Sequence, residues 1–171
     1  MSTSQLTIRP ASIADAEGIA IVQHDCWLDT YPNESLGISD AVIAEHVQNY
    51  QSPERLNKWR DIIAGEEYVT VALDGQRVIG FSCAKKADDI THLAAIYVLQ
   101  NYRGSGAAQK LMDAAMMWLG PDKDILVEVA SYNDRAIRFY QKYGFSATGE
   151  TGHHAILPSI FMRWDHARTG Q

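Results

Sequence analysis

Two glycines stand in a short turn between an apolar segment and a segment with helical periodicity. The turn is Arg103-Gly104-Ser105-Gly106. A glycine-bearing turn that enters a helix directs several backbone N–H groups toward one point, and the helix dipole adds partial positive charge there. Because glycine has no Cβ, the backbone can come close to a bound anion. The chemistry that this turn predicts is the binding of a phosphate-like group.

The two commonest phosphate-binding loops do not match this turn. The chain has no Gly-x-x-x-x-Gly-Lys-Ser/Thr pattern, which disfavours a P-loop nucleotide-binding protein. The dinucleotide pattern Gly-x-Gly-x-x-Gly fails because Gln109 stands where the third glycine is needed. From these residues alone, an ordinary strand–turn–helix connection without a ligand remains an alternative.

The turn is positioned by the two elements on either side of it. The apolar run 93–99 is typical of a strand buried on both faces, and the spacing of apolar residues over 107–119 predicts a helix. Strands are also predicted at 5–9, 68–73, 77–85, 125–130, 145–149 and 156–164, and helices at 12–31, 40–50, 52–64 and 133–143. Pro10 is expected to end the first strand, and Pro158 predicts an edge or a bulge. The order β-α-α-α-β-β-β-α-β-α-β-β indicates an α/β (α+β) fold.

Length and composition predict one globular domain spanning 1–171. The chain is 46% hydrophobic and 21% charged, with a net charge of −6, which argues against a nucleic-acid partner and mildly favours cationic small molecules. We expect no membrane span and no secretory signal, and therefore a cytoplasmic protein. Cys26 and Cys83 are predicted to be small buried residues in a reducing compartment.

A second motif follows about 30 residues after the glycine turn. It reads Asn133-x-x-Ala136-x-x-Phe139-Tyr140-x-x-x-Gly144-Phe145. Together with Arg103-x-x-Gly106-x-Ala108, and with the same order of strands and helices, it resembles the GNAT superfamily of N-acetyltransferases. From the residues alone, Asn133 reads as a helix N-cap and Tyr140 as a core aromatic with a satisfied hydroxyl.

The resemblance implies a GNAT fold, with a mixed sheet of six to seven strands, helices on both faces, and parallel strands four and five that splay apart. It implies acetyl-CoA as the acyl donor, with its pantetheine paired along strand four. Tyr140 would lie beside the cofactor sulfur. The cofactor-binding residues implied are Ile96, Tyr97, Val98, Arg103, Gly104, Ser105, Gly106, Ala107, Ala108, Asn133, Ala136 and Tyr140.

Acetyl transfer to an amine by direct attack in a ternary complex requires donors for the oxyanion, a proton for the thiolate and a base for the amine. Backbone N–H groups near Val98 could polarise the thioester carbonyl, and a tyrosine hydroxyl such as that of Tyr140 stays protonated near neutral pH. His92 stands where many family members carry a glutamate, and Glu128 interrupts an apolar strand, so either could be the base, or a water chain could serve. Alternatively, His92 is a surface residue at a strand end and Glu128 a charge on a sheet face.

The acceptor is predicted to be a primary amine of a small, polyamine-like or amino-acid-like molecule. Trp27-x-x-Thr30-Tyr31 is similar to a stretch in bacterial members near the polyamine acetyltransferases. Trp27 and Tyr31, one helical turn apart, could form an aromatic wall for a cationic amine, or they could be core residues. His153-His154 lacks a third ligand, so no metal is expected.

Three further possibilities stay open. The same fold could serve as a non-catalytic acyl-CoA-binding sensor, although Asn133 and Tyr140 favour an enzyme. It could also acetylate peptide N-termini. A homodimer is compatible with the resemblance.

Overall fold

The structure, a computed structural model, describes residues 5–168. The strands are β1 (Thr7–Pro10), β2 (Tyr68–Asp74), β3 (Arg77–Lys85), β4 (Thr91–Val98), β5 (Ile125–Ala130), β6 (Ser146–His154) and β7 (Leu157–Trp164). The helices are α1 (Ala16–Thr30), α2 (Asp40–Val47), α3 (Pro53–Ala64), α4 (Ala107–Leu119) and α5 (Asp134–Lys142). No helix in the described range is long and apolar enough to cross a membrane.

The strands form one mixed sheet in the order β1-β2-β3-β4-β5-β7-β6. β4 and β5 run parallel, with Thr91 opposite Ile125 and His92 opposite Leu126. A parallel pair needs a crossover connection, and α4 supplies it. The β1–β2, β5–β7 and β6–β7 pairs are antiparallel. The predicted mixed α/β fold with parallel strands four and five is therefore confirmed.

The chain divides into two compact units. The first unit comprises Met1–Cys83 and Ala95–Trp118, and the second comprises Ala84–Ala94 and Leu119–Gln171, within the limits of the described residues. The single domain predicted for 1–171 stays a prediction.

The first unit has a core of aliphatic and aromatic side chains. Ile19 and Val22 of α1, Phe81 of β3 and Leu111 of α4 are fully buried. Both cysteines are buried as predicted, with Cys26 2% exposed and Cys83 6% exposed. Burial of this apolar area is the main term that stabilises the unit.

The second unit is an antiparallel β5–β7–β6 arrangement together with α5. Ile125, Leu157 and Met162 are fully or almost fully buried, and Phe145 follows α5 into the core. β6 is the edge strand, and all nine of its residues are exposed or half-buried.

Several predicted boundaries were wrong, for identifiable reasons. Pro10 lies within β1, opposite Thr70, because β1 is an edge strand and its outer side needs no N–H donor. β6 extends through 146–154, beyond the predicted 145–149, because its small polar residues hide the alternation that marks a strand.

The expectation for Pro158 also needs correction. Its strand β7 lies between β5 and β6 and is not an edge. Pro158 is tolerated because it pairs only with His153 of β6, and pairing to β5 begins one residue later at Ser159. The irregular register lies in β6 instead, between Ala147 and Thr151.

Two helices are shorter than expected. α1 begins at Ala16, after a short 3-10 turn at Ile13–Asp15, and α2 ends at Val47, before the predicted 50. The bounds of α3, α4, β3 and β5 agree with the sequence prediction to within a residue.

Candidate active site

The predicted anion-binding turn lies between β4 and α4, in the first unit. A 3-10 turn at Gln100–Tyr102 leads into it, and Gly104 and Gly106 have φ angles of 79° and 88°. Apart from the glycine and its two chain neighbours, a Cβ built on either glycine would have no heavy atom within 4 Å. These positions therefore require glycine for backbone conformation rather than for packing, and the space beside them is open.

Some backbone donors of the turn are already used within the chain. The N–H of Ser105 donates to the carbonyl of Tyr102 at 3.2 Å, and the N–H of Ala107 donates to Ser105 Oγ at 3.3 Å. The N–H groups of Gly106 and Ala108 lie at the start of α4, where the first N–H groups of a helix have no acceptor within the helix. The cofactor-binding role predicted for 104–108 stays a prediction, and the N–H groups of Gly104, Gly106 and Ala108 are its candidate donors.

The side chain of Arg103 reaches the last turn of α1. Its Nη2 forms an ion pair with Asp29 Oδ2 and donates to Thr30 Oγ1 at 3.3 Å. The Arg103 side chain is 24% exposed and that of Asp29 18%. The sequence did not single out Asp29; only its acidic character beside a predicted aromatic pair could have drawn attention to it.

The predicted strand segment Ile96, Tyr97 and Val98 forms the end of β4. The carbonyl of Val98 accepts a weak hydrogen bond from Cys26 Sγ at 3.4 Å. A Cβ at Gly80 of β3 would stand only 2.8 Å from the carbonyl oxygen of Tyr97, so only glycine permits this close approach of the two strands.

Trp27 and Tyr31 meet Tyr97 in an aromatic cluster within the first unit. Trp27 Nε1 donates to Tyr97 Oη at 3.2 Å, and the hydroxyls of Tyr31 and Tyr97 are 3.3 Å apart. Burial raises the pKa of the Tyr97 hydroxyl above its ordinary value, although the bonds from Tyr31 and Trp27 act against this.

The two predicted acceptor residues are largely buried. Trp27 is 4% exposed and Tyr31 7%, and their rings meet edge to face at 4.9 Å. The Trp27 ring also stacks on His46 at 4.8 Å. Their polar atoms are engaged with Tyr97, so any ligand would meet the remaining ring surface rather than these polar ends.

The second motif forms α5 and its N-cap, in the second unit. Asn133 Oδ1 accepts the N–H of Ala136 at 3.2 Å, as expected of an N-cap. Tyr140 lies nearly two turns on and is 6% exposed. Its ring packs against those of Phe139 and Phe145, at centroid distances of 5.6 and 5.8 Å.

Of the two candidate bases, Glu128 lies in a polar group on one face of the second unit's strands. Glu128 Oε1 accepts the Ser159 hydroxyl at 2.5 Å, and His154 Nδ1 stands 3.7 Å from Oε2. Ser159 is 2% exposed, a buried polar residue just before the apolar run Ile160-Phe161-Met162 of β7. Ser159 was not predicted from the sequence, and its interruption of the apolar pattern is the signal that could have found it. The other candidate, His92, is half-buried in β4, opposite Leu126.

A separate cluster of two aspartates and a histidine lies in the second unit. Ligand atoms of Asp124, Asp165 and His166 come within 4.8 Å of one another. Asp124 Oδ1 accepts the backbone N–H of His166 at 3.0 Å and lies 2.6 Å from the ring atom Nδ1 of the same histidine. These contacts with His166 hold the pKa of the Asp124 carboxyl below its ordinary value. The carboxylate is therefore stabilised by the chain itself.

Comparison with known proteins places this arrangement in a family. The family described as "Acetyltransferase (GNAT) family" matches residues 28–145. Uncharacterized N-acetyltransferases of Mycobacterium tuberculosis and Mycobacterium bovis are 35% identical over an alignment of 92 residues, and the match covers 47% of this chain and 53% of theirs. The chain thus spans about half the length of the curated relatives it matches.

Solved structures share the fold at lower identity. The crystal structure of PaiA N-acetyltransferase from Thermoplasma acidophilum in complex with coenzyme A is 22% identical, with a TM-score of 0.72, over 94% of this chain and 99% of that one. YncA, a putative acetyltransferase from Salmonella typhimurium with its cofactor acetyl-CoA, is 19% identical, with a TM-score of 0.62, over 94% of both chains. Because the family match covers more than half of the chain, this chain belongs to the GNAT family of acetyltransferases.

Proposed function

We propose that this protein is an acetyl-CoA-dependent N-acetyltransferase that acetylates a primary amine of a small, polyamine-like or amino-acid-like molecule. The observation that carries the proposal is the turn at the start of α4. Its two glycines have positive φ and open space beside them, in a chain that belongs to an acetyltransferase family. The coenzyme A and acetyl-CoA in the related PaiA and YncA structures support the same donor.

The cofactor's diphosphate would bind at the start of α4. The N–H groups of Gly104, Gly106 and Ala108 would donate to its oxygens, and the helix dipole and the Arg103 guanidinium would add positive charge. The pantetheine would pair with the backbone of Ile96–Val98 as an added strand. On α5, the side chain of Asn133 would contact the pantetheine amides, and Ala136 would leave room for them.

The reaction would be direct transfer. The neutral amine attacks the thioester carbon, a C–N bond forms, and the C–S bond breaks to release coenzyme A. Tyr140 would donate its hydroxyl proton to the departing thiolate, since a phenol ordinarily titrates near pH 10 and stays protonated. N–H groups near Val98 would stabilise the oxyanion.

The amine must lose a proton before it attacks. An alkylammonium titrates near pH 10.4, so deprotonation near pH 7 costs about 4–5 kcal/mol. Glu128 is the better supported of the two candidate bases, because the buried Ser159 hydroxyl fixes the orientation of its carboxylate. A water chain that ends on Glu128 or on His92 would serve equally well.

The acceptor would meet the ring surface of Trp27 and Tyr31. An aromatic face attracts a cationic amine by cation–π interaction, and the net charge of −6 favours the approach of cations. A polyamine-like acceptor satisfies both conditions.

Binding and turnover test the proposal together. Calorimetry with coenzyme A measures the cofactor site alone, and acetyl-CoA consumption over polyamines, amino acids, aminoglycosides and peptide N-termini identifies the acceptor. Tight binding without turnover on any amine would indicate an acyl-CoA sensor instead. Turnover on peptide N-termini alone would overturn the small-molecule assignment.

The base is tested once the acceptor is known. The dependence of rate on pH is compared for wild type, His92→Ala and Glu128→Gln. We expect Glu128→Gln to change the profile. Identical profiles in all three proteins would exclude both residues.

The cytoplasmic location rests on the expectation of no membrane span and no secretory signal, and the homodimer rests on the resemblance. We propose a cytoplasmic protein and a homodimer. Light scattering after size-exclusion chromatography measures the mass directly, and a monomeric mass would overturn the dimer.

A further inference from the structure

The contact between Arg103 and Asp29 joins the anion-binding turn to the end of α1. Arg103 Nη2 contacts both Asp29 Oδ2 and Thr30 Oγ1, and Thr30 Oγ1 lies 3.3 Å from the same carboxylate oxygen. All of these atoms belong to the first unit. The guanidinium that the family motif places at the diphosphate is thus engaged by a carboxylate of the same chain.

A carboxylate and a phosphate compete for the same donors. Both accept hydrogen bonds from the planar guanidinium, and charge-assisted bonds of this kind are the strong ones. With 24% and 18% of their side chains exposed, Arg103 and Asp29 are within reach of solvent, so an incoming anion can displace the contact. A diphosphate brought beside Arg103 would also be repelled by the Asp29 carboxylate if that carboxylate stayed in place.

We propose that Asp29 is an internal competitor of the cofactor's diphosphate for Arg103, and that it thereby sets the affinity for coenzyme A. The inference rests on the proposed function, because it requires the diphosphate to bind at 103–108. In the unliganded chain, Asp29 holds the guanidinium. When the cofactor binds, Arg103 leaves Asp29 and takes the diphosphate.

A neighbouring cleft offers the carboxylate of Asp29 another cationic partner once Arg103 has left it. Asp29 lines it together with Asp25, Arg77, Leu99, Gln100, Asn101 and Tyr102. Arg77 supplies a second guanidinium in this cleft. The other acidic residue, Asp25, already pairs with His24 Nδ1 at 2.8 Å, so the two carboxylates on this face of α1 differ in their partners.

The exchange would take place at a sensitive point of α1. Asp29 lies two residues after Trp27 and two before Tyr31, the residues proposed to meet the acceptor. Release of Arg103 would remove a tether from the helix end that carries this aromatic pair. Binding of the cofactor would therefore alter the helix end beside Trp27 and Tyr31 by moving the side chain of Arg103.

The experiment is calorimetry with coenzyme A on wild type, Asp29→Asn, Arg103→Gln and the double variant. Asn keeps the shape of the side chain and removes its charge. We expect Asp29→Asn to bind coenzyme A roughly three- to tenfold more tightly, since Arg103 is no longer held. In the Arg103→Gln background the same substitution is expected to change affinity by less than about twofold, because the competitor has nothing left to compete for.

Two matched controls separate competition from simple loss of charge. Asp25→Asn removes a carboxylate one helical turn away and should leave the affinity unchanged. Acetyl-pantetheine, which lacks the diphosphate, should bind wild type and Asp29→Asn equally. Thermal melts show that each variant is folded before its affinity is compared.

Each other result overturns the inference. An unchanged or weaker affinity in Asp29→Asn means that Asp29 does not compete. An equal gain in Asp25→Asn, or an equal gain in the Arg103→Gln background, means that only the general charge matters. Absence of coenzyme A binding in folded wild type would overturn the proposed function itself, a different outcome from binding that ignores Asp29.

Discussion

Helices α4 and α5 begin in different ways. The turn before α4 contains two glycines in the left-handed conformation, Gly104 and Gly106. At α5 the side chain of Asn133 closes the first turn by accepting the N–H of Ala136. At α4 the main-chain N–H groups of Gly104, Gly106 and Ala108 are the proposed donors to a ligand, whereas α5 begins with a side-chain cap and carries a buried tyrosine further along. Main-chain conformation should therefore decide the function of α4, and side-chain chemistry that of α5.

The largest effect is expected where a side chain is forced onto the α4 turn. Gly106→Glu places a residue at a φ of 88°, where non-glycine residues are strained, and adds a negative charge where the diphosphate would bind. Coenzyme A binding should fall below detection in calorimetry. Gly106→Ala is the control, with strain but no charge, and should retain part of the affinity. An unchanged dissociation constant for the Glu variant would remove this turn from the cofactor site.

On α5 a much smaller chemical change should matter. Tyr140→Phe removes one hydroxyl and keeps the ring that packs against Phe139 and Phe145. Turnover of acetyl-CoA should fall by about 10²–10⁴-fold with little change in coenzyme A affinity, which is the usual worth of a general acid. Steady-state kinetics and calorimetry on the same preparation measure the two quantities. A Phe variant with full activity would exclude Tyr140 from the mechanism.

The start of α1 offers a third kind of helix beginning, made by a charge. Asp15 accepts the N–H of Ser12 at 2.7 Å and a two-point contact from Arg9, at 2.7 and 3.0 Å. The bond from Arg9 is the main reason that the pKa of the Asp15 carboxyl lies below its ordinary value. Asp15→Asn should lower the free energy of unfolding at neutral pH by about 1–2 kcal/mol.

The pH dependence follows from that direction. A lowered pKa in the folded state gives stability that is present above the unfolded value, about 3.9, and is lost as the pH falls through the lower folded value. The difference between wild type and Asp15→Asn should therefore shrink in acid. Urea titrations at neutral pH and near pH 3 measure it. A difference that is the same at both would show that the charge of Asp15 is not the source.

The smallest effect is expected at the cap of α5. Asn133→Ala should cost about 1 kcal/mol of unfolding free energy, whereas Asn133→Asp keeps an acceptor oxygen and should retain stability. Asp lacks the amide donors of Asn, so coenzyme A affinity should fall in both variants. Thermal melts and calorimetry separate the two roles. If Asn133→Asp binds coenzyme A as wild type does, the cap is purely structural.

Much of the fold could be predicted because local signals and burial agree. The run at 93–99 and the helical spacing at 107–119 are strong patterns on either side of a glycine turn, and the structure confirms them to within two residues. The bounds of β6 could not be predicted, because an exposed edge strand of Ser, Ala, Thr, Gly, Glu and His has no alternation of apolar and polar residues. Its length is decided by pairing to β7, which is a tertiary effect.

The candidate site was predictable only where a motif is local in sequence. The glycine turn and the Asn133 motif each lie within a dozen or so residues, so spacing alone shows them. The pairing of Arg103 with Asp29 joins residues 74 positions apart, and that of Glu128 with Ser159 joins residues 31 apart. No periodicity records such contacts, because they depend on how the strands and helices pack.

The two cysteines have a practical consequence for measuring this protein. Acyl transfer from a thioester liberates a free thiol. That thiol attacks a disulfide reagent and releases the reagent's coloured thiol, so the reaction can be followed as it proceeds. Cys26 and Cys83 are 2% and 6% exposed, so the folded protein's own sulfurs should react slowly and leave a low background. The same reagent measures the rate at which the first unit opens, because either sulfur reacts only after the core of that unit is exposed. One optical signal can thus follow catalysis in minutes and spontaneous unfolding over much longer times.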